Sequence, residues 1–155
     1  TFAETLGLVV DEEQHAAFLA LAAWTGHSDS YSYYSNNYRV YFDPSRGGRA
    51  VFLPWDPDWA FYRDTNVNGP YGVVSQRCFT DSACREKVRH YVDRLSAEVP
   101  GGTLEAEVLA ITELIAEPLA NDPKRETSMG DVGYCQADLF DWFARRGGEL
   151  ESWGF

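Results

Sequence analysis

Three groups of oxygen-bearing side chains have the types and spacing to do chemistry. Asp29 lies in a polar run without periodicity, 26–36 (GHSDSYSYYSN). Asn36 and Asn37 follow, where the alternating run NYRVYFD (37–43) begins, and Asp56 and Asp58 stand at the end of a second run, RAVFLPWD (49–56). PSRGG between the runs is a turn. The pattern predicts an antiparallel hairpin with Tyr38, Val40 and Phe42 on one face and Arg39, Tyr41 and Asp43 on the other. A hairpin sets its two open ends side by side. Asn37 and the Asp56–Asp58 segment are therefore predicted to meet, with Asp29 just upstream of the same end. One asparagine and two or three aspartate oxygens would converge there. Such hard donors suit Mg²⁺, Mn²⁺ or Ca²⁺ rather than a soft metal.

Helices must carry the rest of the chain. Residues 11–25 (DEEQHAAFLALAAWT) read as a helix with Asp11 as N-cap and Gln14 completing a capping box. Phe18, Leu19, Ala22 and Ala23 form its apolar stripe, and Gly26 ends it. Segment 57–72, rich in Gly, Pro and Asn, reads as an irregular loop. Further helices are predicted over 73–78, 82–98, 103–117 and about 131–152, separated by Pro100-Gly101-Gly102 and Asn121-Asp122-Pro123. No internal repeat or interdomain linker interrupts the pattern. The fold class is α+β: one domain over 1–155, mainly helical, with the hairpin carrying the chemically active end.

Composition narrows the partners. The chain has 155 residues, 45% of them apolar and 15% aromatic, enough for one compact core. Its formal net charge of -11 repels phosphate backbones, so nucleic acid is not an expected partner. ATP is repelled too unless a divalent metal bridges the two. No apolar run approaches the length of a membrane span. Of three cysteines, Cys78 and Cys84 lie close together without further thiolates or histidines, which makes zinc a poor reading. Either all three are buried thiols, or Cys78 and Cys84 form a local disulfide in an oxidising compartment. Cys135 is then free and buried, or paired outside this chain.

The order of the polar residues resembles a protein-kinase site: a catalytic-loop Asp, an Asn several residues on, a β-hairpin, then a metal-binding Asp. HSDSYSYYSNNYRVYFDP followed by AVFLPWDPDWAF resembles the CotH kinase family more closely, whose members carry an NNY-like strand start and a strand ending in PW-x-x-D. RCFTDSACREKVRHYVDRL resembles the family's helical segment after the site, and LFDWFARRGGELESW its closing helix, with an arginine near the middle. The resemblance implies the C-lobe portion of an atypical protein-kinase-like fold. It implies ATP- and Mg²⁺- or Mn²⁺-dependent phosphorylation of Ser or Thr in secreted or surface, coat-type proteins. By position Asp29 is the catalytic-loop aspartate. Asn37, just before Tyr38, is the better metal-ligand match of the asparagine pair. Asp58 is the main acidic metal ligand, and Asp56 a second ligand or supporting acceptor.

Departures shape the expectation. Ser28 stands where the family usually has Trp before the aspartate. There is no Gly-rich loop, and the only lysines, Lys87 in a predicted helix and Lys124 just past the Asn121-Asp122-Pro123 separator, come after the hairpin. The nucleotide-binding N-terminal half is expected to be missing, leaving a fragment that alone binds metal weakly and catalyses poorly. An exposed half-domain face would then favour self-association. His27 could orient Asp29 or touch substrate, although bonding to backbone is the commoner role of a loop histidine. His15 and His90 are expected at the surface. Trp55, Trp59 and Phe61 could line an adenine pocket or belong to the core. Arg63 and Arg77 are solvated arginines by default, with phosphate contact the alternative. Serine hydrolysis is not expected, since no G-x-S-x-G elbow occurs. Two rivals remain: an extracellular structural or adhesion module that binds Ca²⁺ through the same carboxylates, and an inactive kinase-like protein.

Overall fold

The computed structural model describes residues 2–61, 69–99, 102–152 and 154. Seven helices and one hairpin account for most of them: α1 (Phe2–Val9), α2 (Glu12–Thr25), α3 (Tyr31–Tyr34), β1 (Tyr38–Asp43), β2 (Arg49–Pro54), α4 (Val73–Thr80), α5 (Ser82–Glu98), α6 (Thr103–Asn121) and α7 (Met129–Ser152). The fold is mainly helical with a two-stranded antiparallel sheet. Both α1 and α3 fall where no helix was expected. Helix α6 runs past its predicted end, with Pro118 in its final turn, and α7 starts at Met129, ahead of the predicted start near 131, and ends where expected. The expected loop at 57–72 contains a 3₁₀ turn at Pro57–Trp59; its stretch 62–68, and Arg63 with it, lies outside the described residues.

Helix α2 is the central element. Asp11 caps it, accepting the Gln14 N–H at 3.0 Å, and its carboxylate also pairs with Arg46. Burial raises the Asp11 pKa, but the Gln14 N–H and the Arg46 guanidinium outweigh it and hold the carboxyl below its ordinary value. The expected stripe of Phe18, Leu19, Ala22 and Ala23 is buried, and so are His15, Ala16, Ala20 and Trp24. His15 is therefore not at the surface. Helix α5 packs along one side of α2 and strand β2 along another, so a position that one-sided packing would expose is enclosed. Its ring sits among Phe52, Phe18 and Tyr31, with centroids 4.6, 6.0 and 6.3 Å away. His90 is exposed, as expected.

Strand pairing runs from Tyr38↔Pro54 to Asp43↔Arg49. The turn is fixed by Asp43, which accepts the Ser45 backbone N–H at 2.9 Å, and by Gly47 and Gly48 at φ of 71° and 75°. Ala50 and Phe52 of β2 are buried. The outer edge of β2 is closed by the chain itself. The Asp11 N–H reaches the Ala50 carbonyl at 2.9 Å, and the Gln14 amide brackets Phe52, accepting its N–H at 2.9 Å and donating to its carbonyl. An edge strand satisfied in this way stays fixed on α2, and the register of the open end is set from there.

The C-terminal half of α7 completes the core with Trp142, Phe143, Arg146 and Leu150. A disulfide joins Cys78 of α4 to Cys84 of α5. Cys135 is free but exposed, not buried, because the buried residues of α7 all lie in its second half, and Gly133, Tyr134 and Ala137 around the thiol are exposed too. No helix among the described residues is long and apolar enough to cross a membrane.

Candidate functional site

The loop that carries Asp29 is anchored at both ends. Gly26, at φ 60°, stops α2, and the His27 N–H returns to the Ala22 carbonyl at 3.0 Å. Beyond Asp29, the short helix α3 inserts Tyr31 into the aromatic cluster on α2 and β2. The Tyr31 hydroxyl accepts the Val74 N–H at 3.1 Å. Gly72, just before α4, lies flat against this tyrosine: a Cβ there would stand 2.5 Å from the Tyr31 carbonyl oxygen. Only glycine allows so close an approach.

Arg146 is the anchor that the sequence reading did not single out beyond noting an arginine in the closing helix. It is fully buried, and its guanidinium donates to the Ala23 carbonyl at 2.6 Å and the Trp24 carbonyl at 3.2 Å. These carbonyls belong to the last turn of α2, where no intrahelical donor remains and where a cation meets the negative end of the helix dipole. Glu149 balances the charge at 3.2 Å, and the Trp142 indole N–H donates to Trp24 as well. The chain enters the Asp29 loop directly from this clamped turn.

At the hairpin's open end the predicted convergence takes a definite form. The Asn37 side-chain N–H donates to Asp29 at 2.8 Å and approaches the Asp56 carbonyl at 3.5 Å. Asn36 donates to both Asp29 oxygens at 3.1 and 3.2 Å. The Trp55 N–H bonds the Asn37 carbonyl at 3.1 Å, one step beyond the last strand pair. Buried His27 hydrogen-bonds the Asp56 backbone, the role expected of an ordinary loop histidine. Its pKa is lowered by burial, against the opposing pull of Asp29, Asp58 and Asp56. All three carboxylates thus lie close enough to one imidazole to act on it. Asp56 and Asp58 are themselves exposed.

Strain marks the same place. Among the described residues, the non-glycine positions with positive φ are Ser35, Asn37, Asp56 and Phe61. All lie in the loop before β1 or in the turn after β2. Left-handed backbone at several such residues in one region is characteristic of sites where geometry is held for function.

A cleft of about 330 Å³ opens beside the cluster, lined by Ser28, Asp29, Tyr34 and Trp59. Trp55 is exposed and stacked by the Arg39 guanidinium at 3.7 Å from the ring centre. Phe61 sits edge-on to Trp142 and Phe143 in the core. The three aromatics therefore divide: Phe61 packs the core, Trp59 faces the cleft and Trp55 lies at the strand end. Arg77 is exposed, and Lys87 is held by Glu12 and Glu13 at 2.9 and 2.8 Å.

The donors fit a hard cation in kind. The Asn37 amide nitrogen is turned to Asp29, and its side-chain oxygen accepts no hydrogen bond from a described residue. Among the described residues, no three His, Cys, Asp or Glu side chains are grouped to hold a metal by themselves. An ion here would complete its shell from phosphate oxygens and water, as Mg²⁺ does when one or two carboxylates hold it against a nucleotide.

The model of the family described as CotH kinase protein matches residues 1–150, and the chain belongs to this family. No curated protein matches the chain.

Proposed function

We propose that this chain carries the catalytic-loop and metal-binding portion of a protein Ser/Thr kinase that uses ATP with Mg²⁺ or Mn²⁺. Its substrates would be secreted or cell-surface proteins of the coat type. Membership of the CotH kinase family supports the kinase class. The observation that carries the finer reading is the meeting of Asp29, Asn37 and the Asp56 turn, in the order phosphoryl transfer requires. The Cys78–Cys84 disulfide favours an oxidising compartment.

Asp29 orients the substrate hydroxyl and accepts its proton as the oxygen attacks the γ-phosphorus and the bond to the β–γ bridging oxygen breaks. Asn36 and Asn37 fix the Asp29 carboxylate in place. The Asn37 carbonyl oxygen and Asp58 would hold the cation, with Asp56 assisting. When bound, the cation neutralises phosphate charge and keeps the transferring group in line.

The test is transfer of labelled phosphate from ATP to a protein substrate, using the full-length protein. Asp29→Ala and Asp58→Ala should each lower transfer at least a hundredfold while leaving the melting temperature near that of the parent. Retained activity in both variants would overturn the residue roles. A melting temperature raised by Ca²⁺ alone, with no response to ATP and Mg²⁺, would replace catalysis with a structural Ca²⁺ module.

A further inference from the structure

Helix α6 has an apolar surface wider than its one neighbour covers. Leu104 and Val108 pack toward the core cluster, and Thr112 receives the Gln136 amide of α7 at 3.4 Å. A second stripe, Ile111, Leu114, Ile115 and Pro118, recurs at i, i+3, i+4 and i+7 beside the first. Its large members are open, with Ile111 57%, Leu114 78% and Ile115 43% exposed. No residue of α6 is buried.

Charge on this arm is one-sided. Residues 102–140 hold eight acidic side chains against two basic ones, Lys124 and Arg125. Arg125 is turned to the Leu119 and Ala120 carbonyls at the end of α6. By helical spacing, Glu107 and Glu117 lie next to the open stripe on α6, and Asp138 is exposed on α7. None of these three makes an ion pair with a described residue.

We propose that the open face of the α6–α7 hairpin is a docking surface for a cationic amphipathic helix of a partner protein. An apolar stripe between acidic borders is complementary to a helix with leucine-like residues on one face and lysine or arginine beside them. A second copy of this chain is disfavoured, since pairing would oppose two acidic arms. Winding α7 back one residue from Gln136 turns exposed Cys135 toward the same face, which supplies a native reporter. The surface does not depend on phosphoryl transfer, so its test and the kinase test succeed or fail separately.

The experiment titrates the protein with a fluorescent peptide of lysine and leucine at helical spacing. Glutamate–leucine and lysine–serine counterparts serve as controls. Anisotropy reads affinity, and the rate of maleimide reaction at Cys135 reads location. The lysine–leucine peptide should bind saturably, slow Cys135 labelling, and outcompete both counterparts. Leu114→Gln with Ile115→Gln should weaken it about tenfold or more, and Glu117→Lys should weaken it further as salt dependence falls. Both leucine-stripe positions are exposed, so the melting temperature should not move. Affinity unchanged by these substitutions would place the peptide elsewhere and overturn the proposal. Equal binding of the glutamate peptide would overturn the charge argument. A dimer mass that disappears in the double variant would assign the face to a second copy instead.

Discussion

Lowering the pH from neutrality toward 4 should destabilise this chain through His15 before its carboxylates respond. The ring is fully buried and neither nitrogen has a hydrogen-bond partner, so a proton added there would be an unpaired charge in an aromatic cage. Burial lowers its pKa from 6.5 to about 4. Above pH 6.5 neither folded nor unfolded chain binds this proton, and His15 adds no pH dependence. Between 6.5 and about 4 only the unfolded chain binds it, so stability falls as pH falls, and below about 4 the loss levels off. At about 1.4 kcal/mol per pH interval the total is about 3 kcal/mol, a large part of an ordinary domain's stability. His27 is also lowered by burial and Asp11 is held down by its partners, so the raw acid profile has several contributors. A difference measurement isolates one. Urea unfolding should be followed from pH 7.5 to 3.5 for the parent and for His15→Phe, which keeps a ring against Phe18 and Phe52. The two stability curves should run parallel above pH 6.5 and separate by about 3 kcal/mol toward pH 4, the parent falling faster. Curves that stay parallel throughout would refute the argument that the buried neutral ring is the acid-sensitive element.

Arg146→Met should cost about 2–4 kcal/mol, because the Ala23 carbonyl loses its guanidinium partner in a dry interior. Chemical denaturation reads the loss, and Arg146→Lys should recover only part of it, since a single ammonium cannot span both carbonyls as the guanidinium does. Gly72→Ala should displace Tyr31 and lower the melting temperature, with increased amide exchange in α3 as the local sign. Reducing the Cys78–Cys84 disulfide, or replacing both cysteines by Ser, should remove about 2 kcal/mol for so short a loop, leaving α5 folded by circular dichroism.

How much of this was legible in the sequence depends on the range of the interaction. Alternation and turn residues placed the hairpin, and hairpin geometry alone put Asn37 beside the Asp56 turn. The Asp11–Gln14 capping pattern is local, so the start of α2 was readable. The second use of Gln14, clasping the Phe52 backbone, was not, because it links positions far apart. His15 was misplaced for a related reason. A periodic stripe tells which face of a helix is apolar, but not how many faces the rest of the fold will cover. Cys135 erred in the opposite direction: a thiol is usually buried, but α7 begins on an arm with open sides. Arg146 carries no local signal at all. Its partners are carbonyls at the far end of another helix, and only the folded packing reveals that a charge in the core is closing α2.

Those long-range anchors bear on why the proposed chemistry would need a cation. The Asp29 loop starts from a turn held by Arg146 and continues through Tyr31 into contact with Gly72, so its carboxylate has little freedom to withdraw. Asp56 and Asp58 lie close enough to act on the same His27 imidazole, and Lys87 is already engaged by two glutamates. A phosphate entering the cleft would meet fixed negative charges, each repelling it by about 4 kcal/mol at 4 Å for an effective dielectric near 20. In the proposed function, a divalent ion held by the Asn37 oxygen and Asp58 would offset most of that repulsion at the point of entry. ATP affinity should therefore rise when the divalent ion is present, and by linkage the ion's affinity should rise by the same factor when ATP is present; ATP that raises the melting temperature equally without the ion would refute this.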